Sequence, residues 1–133
     1  MMPILFSLGI HDVLAEVNST LNDDEFIFAY LDDIYIVAKP ERIREIYDVL
    51  AHALLDNANI SINAGKTKVW NRIGRYPDNV DDLGTEVWSP DGIIILGTPI
   101  GSTDFVHLHA QGRIDEERKL WDMLPTVPDL QCA

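Results

Sequence analysis

Cysteine is nearly absent from the 133 residues: Cys132 is the only one, which excludes an internal disulfide framework and a cysteine-based zinc site. An intracellular chain, cytoplasmic or nuclear, is expected. Long apolar runs are absent as well, since a membrane span takes about 20 such residues. The apolar opening from Met1 to Ile10 has no Lys or Arg before it and meets His11 and Asp12 at once, unlike a signal peptide. Neither a signal peptide nor a transmembrane segment is expected. Positive charge is scarce: 10 Lys and Arg stand against 22 Asp and Glu, a formal net charge of -12. Taken whole, such a chain repels polyanions.

The content, 47% hydrophobic and 24% charged, is that of a globular protein rather than a disordered one, and the length suits one ordinary domain with a packed core. From Pro3 to about Val17 the apolar residues Ile4, Leu5, Leu8, Leu14 and Val17 recur at helical spacing, predicting a mostly buried helix. Phe26 to Tyr30 and Ile34 to Ala38 are β-branched and aromatic runs separated only by Leu31, Asp32 and Asp33, so they predict an antiparallel hairpin with two carboxylates at its tip. Pro40 and Glu41 open a second helix, whose Ile43, Ile46, Tyr47, Leu50 and Leu54 share one face. Ile60 to Ile62 reads as a short strand and Asn63 to Gly65 as a turn. Residues 71–92 read as loop, Gly92 to Gly101 as a second hairpin, and Thr103 as the N-cap of a charged helix reaching about Leu124. The expected class is α+β, an antiparallel sheet with helices on one face.

Adjacent aspartates repel one another and contribute nothing to a core, so Asp32 and Asp33 suggest either a solvated turn or a divalent cation. Mg²⁺ takes one or two protein carboxylates and completes its shell with water and phosphate oxygens. Tyr30-Leu31-Asp32-Asp33 between two apolar strands resembles the central motif of the reverse transcriptase palm. Pro3-Ile4-Leu5-Phe6-Ser7 is similar to the end of the motif before the palm helix. Asn63 to Lys68 is similar to the downstream lysine motif, and Leu96 to Gly101 to the primer-grip hairpin. The resemblance is closest to reverse transcriptases (RNA-directed DNA polymerases) of non-LTR retrotransposons. It implies a partial palm over residues 1–101, including the primer-grip-like hairpin, and a charged thumb-start-like tail over residues 102–133.

The resemblance further implies template-directed nucleotidyl transfer from dNTPs to a primer 3′-hydroxyl, on an RNA or DNA template, with Mg²⁺ or Mn²⁺. Asp32 would be a direct metal ligand and Asp33 a weaker or outer one. Tyr30 and Leu31 would border the primer end and incoming nucleotide, Lys66 would act at the triphosphate with Lys68 nearby, and Gly97 to Gly101 would hold the primer through backbone contacts. The family's first catalytic aspartate belongs to a palm strand ahead of Pro3 and has no counterpart in this sequence; fingers are missing too. Asp23, Asp24 and Glu25 do not replace it, because eight residues of strand put Asp24 about 26 Å from Asp32. The expectation is therefore a fragment inactive in isolation, with weak metal and nucleic acid binding.

Other signals have plainer readings. Asp115 to Lys119, like Asp23 to Glu25, reads as a solvated face. Trp70, Trp88 and Trp121 read as buried, and His107 and His109, two apart on a helix, as non-ligands. Lys66, Lys68, Arg72 and Arg75 are four cations in ten residues without an acid, a stretch suited to phosphates or to neutralising its surroundings. Residues 1–60 hold 11 acids and 3 bases, residues 61–133 hold 11 acids and 7 bases. The alternative function is a noncatalytic acidic α+β module that binds a protein partner or self-associates through an exposed sheet face.

Overall fold

A computed structural model describes residues 2–78, 80–83 and 87–126, and among these the regular structure is three α-helices and two antiparallel hairpins. Cys132 lies outside the described residues. The order is α1 (Met2–Asn18), β1 (Phe26–Tyr30), β2 (Asp33–Val37), α2 (Ile43–Ala58), β3 (Gly92–Ile95), β4 (Thr98–Gly101) and α3 (Thr103–Met123), with short 3₁₀ turns at Ala64–Lys66, Asp81–Leu83 and Leu124–Thr126. The class is mixed α and β with two small sheets. The chain forms two compact units: Met1–Thr67 with Tyr76–Val87, and Lys68–Arg75 with Trp88–Ala133.

In the first unit α1 and α2 pack together through Ile10, Val13 and Val17 on one side and Ile46, Leu50, Ala53 and Leu54 on the other. The α2 face is the one its sequence period predicts. The α1 face is so only in part: Val17 is buried and Leu14 packs against the core, whereas Leu8 is 68% exposed and Ile10 and Val13 are buried as well. Helix α1 is apolar nearly all round, so its period alone leaves several possible faces and the partner helix selects one. Helix α2 ends at Asn59, which takes the left-handed conformation and donates its backbone N–H to the Leu54 and Leu55 carbonyls.

The β1–β2 hairpin lies with one face on this core. Its register pairs Ile27 with Ile36 and Ala29 with Ile34, and these four pack inward. Strand alternation turns Phe26, Phe28 and Tyr30 outward with Val37, Tyr35 and Asp33. Phe28 and Tyr35 stack with ring centroids 4.9 Å apart. Ile60 and Ile62 pack on the same core around exposed Ser61, yet they form no strand. Their alternation was legible, but a strand needs a hydrogen-bonded neighbour, and among the described residues the β1–β2 sheet takes no third member. Within residues 76–87, read as loop, Val80, Leu83 and Val87 are buried.

In the second unit, β3 and β4 pair from Gly92↔Gly101 to Ile95↔Thr98, joined by Leu96 and Gly97 at φ 51° and 79°. Two successive positive φ values match the right-handed strand twist. Ser102, not Thr103, caps α3: its Oγ accepts the Phe105 N–H at 3.2 Å. Ser102 is the last residue with extended backbone (ψ 156°), which is what a capping hydroxyl requires. Helix α3 buries none of its described residues. Trp121, expected inside, is 66% exposed; Trp70 and Trp88 are half-buried. Arg113 pairs with Glu116 and Glu117, as a solvated face should. Among the described residues no helix is long and apolar enough to cross a membrane.

Candidate functional site

Tyr30 pairs with Asp33 at the end of the β1–β2 ladder, so the connecting turn is only Leu31 and Asp32. Leu31 sits at φ 55°, a region where a leucine costs about 1–2 kcal/mol relative to ordinary backbone. A two-residue hairpin turn requires positive φ at its first position, as at Leu96 in the second hairpin. Asp33 belongs to the outward set with Tyr30 and Tyr35, and the Tyr35 hydroxyl donates to its Oδ2 at 3.3 Å. Asp32 and Asp33 are both exposed, and among the described residues no Lys, Arg or His forms an ion pair with either. The turn thus presents two adjacent, uncompensated carboxylates beside Tyr30, 56% exposed, and Leu31, 43% exposed.

This donor set fits a hard divalent ion through at most two protein ligands. Among the described residues no cluster of three or more His, Cys, Asp or Glu could hold a metal, so water or phosphate oxygens would complete the shell. His107 and His109 lie on α3 as helical residues and form no such cluster.

At the far end of the hairpin, Asp23 to Glu25 is not simply a solvated run. Asp24 pairs with Lys39 at 2.9 Å on the surface, but the Glu25 side chain is fully buried. It accepts the Asn22 backbone N–H at 2.9 Å, the Asn22 amide at 3.1 Å, and Arg42 Nε and Nη2 at 3.2 Å each. Arg42 also donates to the Thr20 carbonyl at 3.0 Å and to Glu45 at 2.8 Å. The Arg42 guanidinium, then the Asn22 N–H, hold the Glu25 carboxyl below its usual range against the opposing effect of burial, and Glu25 raises Arg42 in return. This clamp ties the entry of β1 to the start of α2 and so anchors the hairpin that carries the aspartates. The spacing Asn22-x-x-Glu25, like the acidic arm of a capping box, was the available signal. Arg42, seventeen residues on, was not readable.

Lys66 is exposed at the end of a 3₁₀ turn whose Asn63 side chain accepts the Gly65 N–H at 3.0 Å. No hydrogen bond or ion pair joins Lys66 to Asp32 or Asp33, so the structure does not bring the three together directly. Lys68, Gly97 and Gly101 belong to the second unit. There Gly97 answers to its φ of 79°, with open space where a Cβ would stand, while a Cβ on Gly101 would collide with the Asp91 carbonyl oxygen.

No family model matches the chain, and no solved structure matches it. Over 72 residues, 54% of the chain, it is 35% identical to the "Retrotransposable element SLACS 132 kDa protein" of Trypanosoma brucei gambiense. The chain is similar to a retrotransposon protein. It spans 6% of that relative's length.

Proposed function

We propose that this chain is a segment of a reverse transcriptase of the non-LTR retrotransposon type and supplies the carboxylate turn of its nucleotidyl-transfer site. The observation that carries the reading is the two-residue turn presenting Asp32 and Asp33 to solvent, where no Lys, Arg or His among the described residues forms an ion pair with either. The order of the surrounding motifs and the likeness to a retrotransposon protein support it.

In this reading Asp32 holds Mg²⁺ or Mn²⁺ directly, and Asp33, oriented by Tyr35, holds it less closely. A bound divalent ion would stabilise charge developing on the α-phosphate during in-line attack by the primer hydroxyl. Tyr30 and Leu31 border the primer end and the dNTP. Lys66 and Lys68 meet phosphate oxygens, and the turn at Leu96 and Gly97 offers backbone to the primer strand. With two carboxylates rather than a fuller set, metal binding by the chain alone is weak and nucleotide incorporation low.

Thermal melts with Mn²⁺ and a dNTP, beside primer extension on a template–primer, test this. The wild type should melt higher with both ligands present, and D32N and D33N should lose that shift. An unchanged melt in the wild type, or a shift that persists in both variants, would count against the site. Robust incorporation abolished by D32A would show instead that the chain is active by itself.

A second reading is favoured by the outer face of the hairpin, where Phe26, Tyr30 and Val37 are each more than half exposed. An acidic noncatalytic module would use this face to pair with a second copy of itself. Sedimentation of wild type against F26S/V37T separates the two: a dimer lost in the variant, with no ligand effect on melting, supports the module.

A further inference from the structure

The acidic balance of this chain has a local reversal that the carboxylate turn does not use. Residues 66–75 contain Lys66, Lys68, Arg72 and Arg75 and no acid. Lys39, Arg42, Arg44 and Arg113 each pair with a carboxylate. Arg72 and Arg75 form no ion pair among the described residues, although they share one short loop.

That loop has a defined shape. The Asn71 amide donates to the Arg75 carbonyl at 2.5 Å while its Oδ1 accepts the Arg75 N–H at 3.2 Å, so one side chain clasps both backbone groups across the loop. The Gly74 N–H closes the turn onto the Asn71 carbonyl at 3.2 Å, with Gly74 at φ 69°. Below it, Val69 forms a bridge with Trp88 and its carbonyl accepts the Ser89 N–H at 3.0 Å. Arg72, Ile73, Gly74 and Arg75 are all exposed on this stem, Ile73 to 84%.

We infer that the Asn71-clasped loop Arg72–Arg75 is a contact for the phosphate backbone of a nucleic acid strand. Guanidinium groups bind phosphate bidentately, and two of them on a turn already ordered lose little entropy on binding. The isoleucine between them gives an apolar surface suited to a ribose or base face, the use nucleic-acid-binding proteins make of exposed apolar side chains among arginines. This loop shares no residue with the Asp32–Asp33 turn, and its contact with a phosphate backbone does not depend on metal at that turn.

The test is fluorescence anisotropy of the full chain with a labelled RNA–DNA hybrid across a salt series, comparing wild type, R72Q/R75Q and R113Q/R118Q. The last pair removes the same charge from α3. Loss of two phosphate contacts should lower the slope of log affinity against log salt by about 1.4–1.8, the value for two counterions on single- or double-stranded nucleic acid. R72Q/R75Q should show that loss with an unchanged melting temperature, R72K/R75K should retain most binding, and R113Q/R118Q should remain near wild type. Absence of saturable wild-type binding at low salt, equal losses in the two glutamine variants, or equal competition by polyglutamate would each overturn the inference.

Discussion

Gly97 and Gly101, two of the three glycines of the β3–β4 hairpin, occupy the same small sheet for different reasons. Gly97 has φ 79° and nothing within 4 Å of a Cβ position. An alanine there incurs only the left-handed backbone cost of about 1–2 kcal/mol, less about 0.5 kcal/mol from the reduced freedom of the unfolded chain, leaving about 0.5–1.5 kcal/mol. At Gly101 the backbone is ordinary but the space is occupied, since a Cβ would overlap the Asp91 carbonyl oxygen. That oxygen also accepts the Ser102 N–H at 2.7 Å, next to the N-cap of α3. Displacing it weakens a hydrogen bond worth about 0.5–1.5 kcal/mol and adds overpacking of about 1–3 kcal/mol, so with the same reduction of about 0.5 kcal/mol from the unfolded chain Gly101→Ala should cost about 1–4 kcal/mol. Urea unfolding followed by tryptophan fluorescence reads this directly, because Trp70, Trp88 and Trp121 all belong to the unit containing the hairpin. A Gly97→Ala loss equal to or above that of Gly101→Ala would refute the argument from Cβ space. A Gly97→Ala variant that is only mildly destabilised yet loses template–primer binding would assign Gly97 to the nucleic acid as well as to the turn.

Two further outcomes follow from the first unit. Leu50, 3% exposed between α1 and α2, should cost about 2–5 kcal/mol as alanine, seen as a lower urea midpoint by far-UV circular dichroism; a loss below 1 kcal/mol would mean that the helix pair does not carry the core. The depressed folded pKa of Glu25 means that its stabilising effect is complete above the carboxylate value of the unfolded chain and disappears as pH falls through the folded value. Melting temperature against pH should therefore fall on acidification in wild type and fall less in E25Q, which starts lower; parallel curves would show that the clamp does not couple to folding.

Much of this fold is local in origin and was legible for that reason. The Phe26–Tyr30 and Ile34–Val37 runs alternate and face each other across a two-residue turn, so their pairing needs no distant information. Helix α2 has a single apolar face, and its Ile46, Leu50 and Leu54 are buried as their spacing requires. The turn bearing Asp32 and Asp33 follows from the same pattern, although the strand begins at Asp33 itself. Where the sequence offered several equivalent faces, as in α1, or an alternation without a neighbour, as at Ile60–Ile62, the period was present but did not decide the outcome.

The sequence by itself determined the hairpins, the three helices and the exposed carboxylate pair, because each depends on side-chain period and turn chemistry within a few residues. Tertiary structure alone decided the rest: that Ile10 rather than Leu8 faces α2, that Trp121 stays in solvent, and that Glu25 leaves its acidic run to meet Arg42. These depend on which surface arrives from elsewhere in the chain. A buried carboxylate is tolerable only where a guanidinium and an amide meet it together, and Glu25 meets both only after β1 and α2 have packed on the same core.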